Sequence, residues 1–420
     1  MTKTITRLAI ILALLVPALA SARTPQAEPN VNSRYRVASV SITGVSESSL
    51  SQALRDDMQK LVGKPYDQAA ADDLARRMRE QLRDYTVSVK VTRGDEPDSL
   101  KVTFEAVEPS RRPHRFDVAI SPILYNTNDA FSVNIVPAFE THHSYFQFGL
   151  VSDADTLLER NMGVVLRYEH RKVGTDMVQV GLAYDYFHPS FQPETEAALA
   201  FRPDVPGIYR TRENFSPSVS VLPIRDVKLT FGASFQTLSM QYPVLRDETA
   251  NAFTFDARFH HVEGSRHSVR HAIDAGYSVR RTTTTLESDF LYTRQFVSSD
   301  YTIAVGRQLF GFHFQGGNID GAAPLFERFS LGNTSTLRGW DKFDVAPVGG
   351  ARLAYGSLEY RYRPFVLFYD FGTVWDEGQA ADVKHSVGIG LAWKNGFFMT
   401  FGVPLRFSGV TPAFMFGFKR

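Results

Sequence analysis

Residues 356–372 read GSLEYRYRPFVLFYDFG, two alternating segments separated by Arg363-Pro364. In the first segment, Glu359 lies on the face opposite a row of leucine and tyrosine side chains. In the second segment, Asp370 lies opposite a similar apolar row. Alternation with a period of two residues indicates β-strands whose two faces meet different surroundings. The stretch therefore predicts a β-hairpin with one apolar face and one face that carries two carboxylates.

The same alternation recurs from about residue 115 to residue 420, where helical periodicity is missing. Sixteen alternating segments can be counted in this part of the chain. At roughly twenty residues for each strand with its connection, this number suits an outer-membrane barrel. The sequence thus predicts a mainly β protein whose residues 114–420 form a sixteen-strand transmembrane antiparallel barrel. A soluble β-sandwich gives no reason for so long a run without helix.

Connection lengths support the same prediction, because outer-membrane barrels have short periplasmic turns and longer external loops. Short turns are predicted at residues 141–144, 172–175, 224–226, 263–267, 297–300, 361–364 and 394–396. Long loops are predicted at residues 152–161, 188–212, 241–251, 317–347 and 376–385. Two external connections, at residues 125–129 and 282–285, are short. The count places the loop at 317–347 between the eleventh and twelfth strands.

The two carboxylates of the hairpin are predicted to face the lumen, because a charged side chain facing lipid at mid-depth is costly. A two-residue turn at Arg363-Pro364 pairs residue 359 with residue 368 and residue 357 with residue 370. Glu359 and Asp370 then become diagonal neighbours, with backbones about 7–8 Å apart. One guanidinium between them can bond both carboxylates, because arginine has the planar fork that this task needs.

The long connection contains such an arginine, within LGNTSTLRGW at Leu331–Trp340. Gly332 and Gly339 allow the backbone to turn tightly near the barrel wall. A sixteen-strand lumen is wide enough to hold an inserted loop. The sequence therefore predicts that this stretch folds inward and that Arg338 pins it to the two carboxylates, with Trp340 as a rigid aromatic. The alternative is an exposed loop arginine above solvated lumenal charges. The predicted role is structural and gating rather than catalytic.

The N-terminus has the form of a secretory signal peptide over residues 1–22. Lys3 and Arg7 precede the apolar run Leu8–Val16, and Ala20-Ser21-Ala22 has the small-x-small form of a cleavage site. A membrane anchor is the alternative, but the apolar run is too short to span a bilayer. Residues 23–33 are polar and contain prolines, which indicates a linker.

A compact α/β pattern follows over residues 34–109. An alternating strand ends at Gly44, and a helix that Ser46 or Ser49 can cap extends to about Leu61. A second helix is predicted from a cap at Asp67. A hairpin of residues 85–92 and 100–107 completes the order β-α-α-β-β. A domain of this size is plausible as an independent unit.

This segment resembles a POTRA (polypeptide-transport-associated) domain. The resemblance rests on SITGV at the end of the first strand, the VGKPYD corner and the closing VTFEAVEP. The usual closing Glu-Gly-Pro is Glu108-Pro109-Ser110 here, and there is one such unit where relatives often have more. The resemblance implies a periplasmic domain that binds polypeptide by strand addition, a mode of recognition based on main-chain hydrogen bonds.

The lumenal motifs resemble those of the BamA/TamA/FhaC superfamily of outer-membrane assembly and translocation barrels. LRGW is similar to its Val-Arg-Gly-Phe/Tyr signature, with Trp340 in place of the commoner Phe or Tyr. SLEYRY resembles the next motif and supplies Glu359. FYDFGTVW resembles the Phe-x-Asp-x-Gly motif and supplies Asp370 and the motif glycine, Gly372. With the POTRA-like segment, the resemblance covers nearly all of the mature chain.

Composition excludes several other functions. The chain has no cysteine, so disulfides, thiolate catalysis and cysteine metal sites are impossible. Its 46 basic and 45 acidic side chains balance, which does not favour nucleic-acid binding. We find no Gly-x-Ser-x-Gly elbow and no HExxH motif, and the adjacent histidines His260-His261 point to opposite faces of a strand. No enzymatic activity, cofactor or metal is therefore expected.

The resemblance implies a protein of the bacterial outer membrane that inserts β-barrel proteins, or moves polypeptide across the membrane, without ATP. The implied partners are unfolded outer-membrane or secreted polypeptides, outer-membrane lipid and accessory subunits. A secretion transporter for a dedicated partner is one alternative, although residues 23–33 are too short and proline-broken for the plugging helix of such exporters. A non-enzymatic porin or surface barrel is the other alternative.

Overall fold

The computed structural model describes residues 34–82, 85–107, 114–141, 143–175, 177–241, 243–263, 269–406, 409 and 411–418. The predicted signal peptide and linker, residues 1–33, lie outside this range. The chain divides at residue 110 into two compact units. Within the described residues, no helix is both long enough and apolar enough to cross a membrane.

The first unit contains three strands and two helices in the predicted order. They are β1 (Arg36–Thr43), α1 (Gln52–Gln59), α2 (Gln68–Gln81), β2 (Thr86–Arg93) and β3 (Ser99–Val107), with a 3-10 turn at Glu47–Ser49. The sheet order is β1-β3-β2, in which β3 is parallel to β1 and antiparallel to β2. One face of this sheet is covered because both helices bury an apolar stripe against it, including Leu54, Met58, Leu74 and Met78.

Helix capping agrees with the sequence at one helix and differs at the other. The Asp67 side chain accepts a hydrogen bond from the Ala69 backbone and caps α2, as predicted. α1 begins later than predicted, because the 3-10 turn precedes it and buries Leu50. Ser51, rather than Ser46 or Ser49, therefore caps α1 through the Leu54 amide.

The second unit is a closed antiparallel barrel. Its strands are β4 (His114–Asn126), β5 (Ala130–Thr141), β6 (Ser144–Asp153), β7 (Arg160–His170), β8 (Val178–Ser190), β9 (Tyr209–Ile224), β10 (Val227–Met240), β11 (Arg246–Thr249), β12 (Ala252–Glu263), β13 (Arg270–Thr282), β14 (Tyr292–Val305), β15 (Gln308–Gly321), β16 (Arg352–Tyr362), β17 (Phe365–Trp375), β18 (Lys384–Ala392), β19 (Phe397–Pro404) and β20 (Ala413–Phe418). The four-residue β11 pairs with the C-terminal end of β10, and β12 pairs with the rest of β10. The other sixteen strands confirm the predicted barrel.

One predicted turn is wrong. The sequence predicted a turn at Val297–Asp300, but β14 continues through these residues to Val305. Ser299 and Asp300 pair with Phe314 and His313 of β15, so the polar run belongs to a strand. The chain reverses instead at Gly306, where a φ of 61° suits glycine. Polarity misled the prediction because lumen-facing positions of a barrel strand are polar as well.

The connection between β15 and β16, residues 322–351, is termed the lumenal loop below. It contains a 3-10 turn, Leu325–Glu327, and a four-residue helix, α4 (Lys342–Val345). Leu325, Leu331 and Leu337 are each no more than 1% exposed. They form a core with inward-facing residues of the strands, so the loop folds into the barrel. A second loop helix, α3 (Pro193–Leu199), lies between β8 and β9.

Candidate functional site

The β16–β17 hairpin places two carboxylates on the lumenal face. Its register pairs Glu359 with Phe368 and Ser357 with Asp370, which is the register that the two-residue turn predicts. The side chain of Glu359 is 4% exposed and that of Asp370 is fully buried. Carboxylates this deeply buried need hydrogen-bond donors and an opposite charge.

Arg338 of the lumenal loop supplies both. Its Nε and Nη2 donate to the two oxygens of Asp370, at 2.9 and 2.8 Å. Its Nη1 donates to Glu359 Oε2 at 2.9 Å, and its backbone amide donates to Asp370 Oδ2 at 2.9 Å. One arginine therefore bridges the two strands through a bidentate and a single charge-assisted contact.

Three further residues complete this cluster, and the sequence argument did not assign roles to them. Ser357 Oγ donates to Asp370 Oδ1 at 2.6 Å and accepts from Arg338 Nη2 at 3.1 Å. The Arg338 guanidinium lies 3.7 Å from the centroid of the Phe368 ring, a cation–π contact. Arg361 donates to the second oxygen of Glu359. The alternating pattern placed Ser357 on the lumenal face, which was the available signal.

The predicted glycines stand where backbones approach closely. Gly332 and Gly339 have φ values of 102° and 106°, which side chains rarely adopt. A Cβ at Gly339 would lie 2.7 Å from the carbonyl carbon of Gly402 on β19. A Cβ at Gly372 would lie 2.9 Å from a methyl group of Leu331. The glycines thus let the lumenal loop pack directly on the barrel wall.

Trp340 attaches the same stretch to the next strand of the wall. Its ring nitrogen donates to the His385 carbonyl of β18 at 2.8 Å. Lys384 and Arg406 lie 5.1 and 5.6 Å from the centre of its ring system. The Trp340 side chain is large and rigid and is only 6% exposed. Its one polar atom, the ring nitrogen, has a hydrogen-bond acceptor despite this burial.

A second anchor holds the opposite part of the lumenal loop. Glu327 forms ion pairs with Arg280 of β13, at 2.9 Å, and with Arg294 of β14, at 3.3 Å. The Tyr292 hydroxyl donates to the same carboxylate at 3.1 Å. Here the loop supplies the acid and the wall supplies the arginines, the reverse of the Arg338 cluster. The sequence analysis did not find this anchor.

Asp376, directly after β17, joins three connections at the loop end of the barrel. It accepts from Arg328 of the lumenal loop at 2.7 Å and from Arg202, after α3, at 2.7 Å. The Ala351 amide also donates to it at 2.9 Å. Burial alone would raise the pKa of Asp376, but the hydrogen bond from Arg202 and the charge of Arg328 outweigh burial and lower it. This network covers the mouth of the barrel at the loop end.

The barrel closes where its last strand meets its first. Within the described residues, three residue pairs join β20 to β4: Leu124 with Gly417, Tyr125 with Phe416, and Asn126 with Met415. This edge is termed the seam. By comparison, six pairs join β19 to β20 and eleven join β4 to β5. Among the described residues, the seam therefore has fewer paired residues than the strand pairs on either side of it.

Comparison with known proteins finds a family match over part of the chain. Residues 277–408, which contain Arg338, Glu359 and Asp370, match the model of the Omp85 superfamily domain. The match covers the part of the barrel from β13 to just beyond β19. This confirms the resemblance to the BamA/TamA/FhaC superfamily. It also confirms the predicted place of the protein, the bacterial outer membrane.

A curated protein matches a shorter part of the chain. The outer membrane protein assembly factor BamA of Nitratidesulfovibrio vulgaris is 31% identical over 97 residues, which cover 19% of this chain and 12% of that protein. The chain thus matches about an eighth of the length of this curated relative.

Solved structures share the fold of this chain. BamA of Haemophilus ducreyi lacking POTRA domains 1–3 has a TM-score of 0.57 at 15% identity, covering 92% of this chain and 84% of that chain. CdiB of Escherichia coli has a TM-score of 0.51 at 13% identity, covering 92% and 76%. CdiB of Acinetobacter baumannii has a TM-score of 0.51 at 12% identity, covering 92% and 74%. At these identities the likeness concerns the fold.

Proposed function

We propose that this protein inserts β-barrel or other exported polypeptides into or across the bacterial outer membrane, without ATP and without enzymatic chemistry. The observation that carries the proposal is an Omp85 barrel with a weakly paired seam and an anchored lumenal loop. Residues 34–109 act as the POTRA-like receiving domain in this proposal, and residues 1–22 as the signal peptide.

The seam offers a route into the lipid that avoids a charged or polar barrier. A strand edge exposes unpaired N–H and C=O groups that can pair with another chain. Opening three residue pairs costs less than opening any neighbouring strand pair. An incoming β-strand can then pair with the exposed edge, so its backbone groups never enter lipid unsatisfied. The barrel thus lowers the barrier to insertion with pairing energy alone.

The anchored lumenal loop acts as a latch that keeps the barrel wall in shape while the seam moves. Arg338 ties the loop to β16 and β17, and Glu327 ties it to β13 and β14. Gly332, Gly339 and Trp340 bring the loop against the wall, and Gly372 leaves space for it. In this proposal the latch also blocks free passage through the lumen.

The POTRA-like unit has an edge suited to receiving polypeptide. In its sheet, β2 is an outer strand, and within the described residues its second edge has no strand partner. The corresponding edge of β1 is covered at its start, because the Val37 amide donates to Lys64 and the Tyr66 amide donates to Tyr35. Strand addition at β2 would keep an unfolded chain paired and prevent aggregation.

Reconstitution tests the proposal. The purified protein is inserted into phospholipid vesicles, and a urea-unfolded eight-strand outer-membrane barrel is added. We expect the client to fold several-fold faster than in vesicles that hold an unrelated porin, measured by its heat-modifiable migration on a gel. A client that folds at the same rate in both vesicle types would contradict insertion activity.

Two further arms separate the alternatives. Deletion of residues 34–107 is expected to leave the barrel heat-modifiable and to remove most of the acceleration. For a secretion transporter, a client would instead appear protected inside the vesicles without becoming membrane-integrated. A porin would show neither effect and would raise small-solute permeability.

A further inference from the structure

A buried lysine connects the lumenal loop to the first strand of the barrel. Lys342 Nζ lies 3.0 Å from Asp129 Oδ1, and the two side chains are 1% and 2% exposed. The same ammonium donates to the Leu157 carbonyl at 2.7 Å and to the Ala154 carbonyl. All three protons of the ammonium therefore have acceptors, and the loop is joined to both the β4–β5 turn and the β6–β7 loop.

Asp129 in turn supports the seam. Its second carboxylate oxygen accepts from Asn126 Nδ2 at 3.1 Å. Asn126 is the last residue of β4 and pairs with Met415 across the seam. The Thr127 amide, in the same turn, donates to the Phe414 carbonyl of β20 at 3.1 Å. The contacts thus run without a break from Lys342 through Asp129 to the loop end of the seam.

The lumenal loop also contacts the wall on the other side of the seam. Gly402 of β19 approaches the Arg338 carbonyl so closely that a Cβ there would lie 2.7 Å from it. Arg406, just after β19, donates to Asp344 of the loop at 3.1 Å. A single loop therefore touches structure on both sides of the edge that has to open.

We propose that Lys342 and Asp129 are positioning residues that hold the end of β4 in the closed seam, so that displacement of the lumenal loop releases it. The inference rests on the proposed function, in which the seam opens. It assigns regulation of that opening to one ion pair. The two residues form an ion pair separate from those of Arg338 and hold a different part of the wall.

The energetics of the pair favour positioning over bulk stability. Removing two charges from water costs several kcal/mol, and ion pairs in protein interiors are often no better than apolar contacts for stability. Burial raises the pKa of Asp129 to about 6 even though Lys342 opposes the rise. Such a pair adds little to folding but fixes one arrangement, because the ammonium has no other carboxylate partner in its described surroundings.

The experiment uses the full chain, which contains no native cysteine. Tyr125 and Phe416 pair across the seam with ring centroids 5.1 Å apart. The substitutions Tyr125→Cys and Phe416→Cys make oxidant-driven disulfide formation a measure of seam closure in vesicles. We expect Asp129→Asn to slow this disulfide several-fold, with a heat-modifiability midpoint within a few degrees of the parent.

The matched control is Glu327→Gln, which weakens the anchor to β13 and β14 and leaves the Lys342–Asp129 pair in place. It is expected to leave the disulfide rate unchanged. If Asp129→Asn folds poorly, the double variant Asp129→Asn with Lys342→Met removes both charges and takes its place. The proposal is overturned if the Asp129 variants form the disulfide as fast as the protein without these substitutions. It is also overturned if Glu327→Gln slows the disulfide as much as Asp129→Asn does. No client polypeptide is present, so the result stands apart from the test of insertion activity.

Discussion

At the scale of residues, the Arg338 cluster is a nearly neutral set of charges in a site of low solvent access. Two arginines, Arg338 and Arg361, face two carboxylates, Glu359 and Asp370. Each oxygen of Asp370 receives at least one donor. Such a network is stabilising when complete and costly when one member is lost, because an unpaired buried charge remains.

Arg338→Met is expected to lower the free energy of unfolding by about 3–5 kcal/mol, because Asp370 loses its charged partner and Glu359 keeps only the more exposed Arg361. The free energy of unfolding of Arg338→Lys is expected to lie between those of Arg338→Met and the unsubstituted protein, since lysine supplies charge without the planar fork. The measurement is the midpoint temperature of heat-modifiable migration. Arg258→Met, at an arginine that is 55% exposed, is the control and is expected to have little effect. Equal midpoints for the lysine variant and the parent would show that the fork geometry is unimportant.

A double-mutant cycle tests whether Arg338 and Asp370 act as one unit. Asp370→Asn alone leaves Arg338 with Glu359, and Arg338→Met alone leaves two carboxylates without it. Because the residues are in direct contact, the combined loss should be smaller than the sum of the single losses. Midpoints that add strictly would mean that the two side chains do not meet in the folded protein.

At the scale of elements, the lumenal loop is held at separate places by unlike chemistry. Arg338 inserts a cation between carboxylates, Glu327 inserts an anion between arginines, and Lys342 reaches an aspartate and backbone carbonyls. The first two anchors lie on strands β13 to β17, and the third lies at the turn that follows β4. The three anchors therefore hold the lumenal loop to different parts of the wall.

The Lys342–Asp129 anchor is expected to weaken in acid. Besides Lys342, the charged groups that influence Asp129 are Asp155 and Asp341. Lowering the pH from 7.5 to 5 protonates Asp129, whose pKa is about 6, and removes its charge from the pair. In the protein with an intact Asp129, spin labels at residues 125 and 416 should then show weaker dipolar broadening at pH 5 than at pH 7.5. Asp129→Asn should show the weaker broadening at both pH values, and a pH response as large as the parent's would exclude Asp129 as its source.

The same pKa has a consequence of definite sign for stability. The folded pKa lies above the ordinary value of 3.8, so the folded state binds the proton more tightly. The contribution of Asp129 to the free energy of unfolding is therefore largest below pH 3.8 and falls as the pH rises to about 6. Relative to Asp129→Asn, the parent should lose stability across this window in urea titrations.

At the scale of the whole molecule, the barrel is filled from one end. A continuous apolar core links the lumenal loop to inward-facing residues such as Leu238, Tyr292 and Leu353. Above it, Asp376 joins the lumenal loop to the connection that contains α3. Ion pairs thus close the loop end of the barrel, and apolar side chains fill the lumen below them.

Asp376→Ala is expected to open the loop end, because Arg328, with a side chain 8% exposed, loses its carboxylate partner. Single-channel conductance in planar bilayers should rise, with more frequent large openings. Glu377→Gln is the neighbouring control, at a side chain that is 89% exposed, and should behave like the parent. A conductance that stays at the parental level in Asp376→Ala would show that packing alone closes the mouth.

Local pattern was sufficient for most of the fold. Alternation with a period of two residues specifies which strand residues share a face, and this property belongs to the sequence itself. It therefore determined the barrel, the register of the β16–β17 hairpin and the lumenal position of Glu359 and Asp370. The same pattern failed at Val297–Asp300, because a polar run can be a turn or a lumen-facing strand.

Outside the β16–β17 hairpin, only the tertiary structure decided which lumenal charges meet. The anchors at Glu327 and Lys342 join residues far apart in the chain. Alternation predicts that a side chain faces the lumen, but it does not predict which other side chain it contacts there. Arg338 was predictable because its two partners lie on one hairpin, whose turn fixes their spacing. Asp129 and Arg280 are brought to the lumenal loop by closure of the whole barrel, so no short stretch of sequence contains that information.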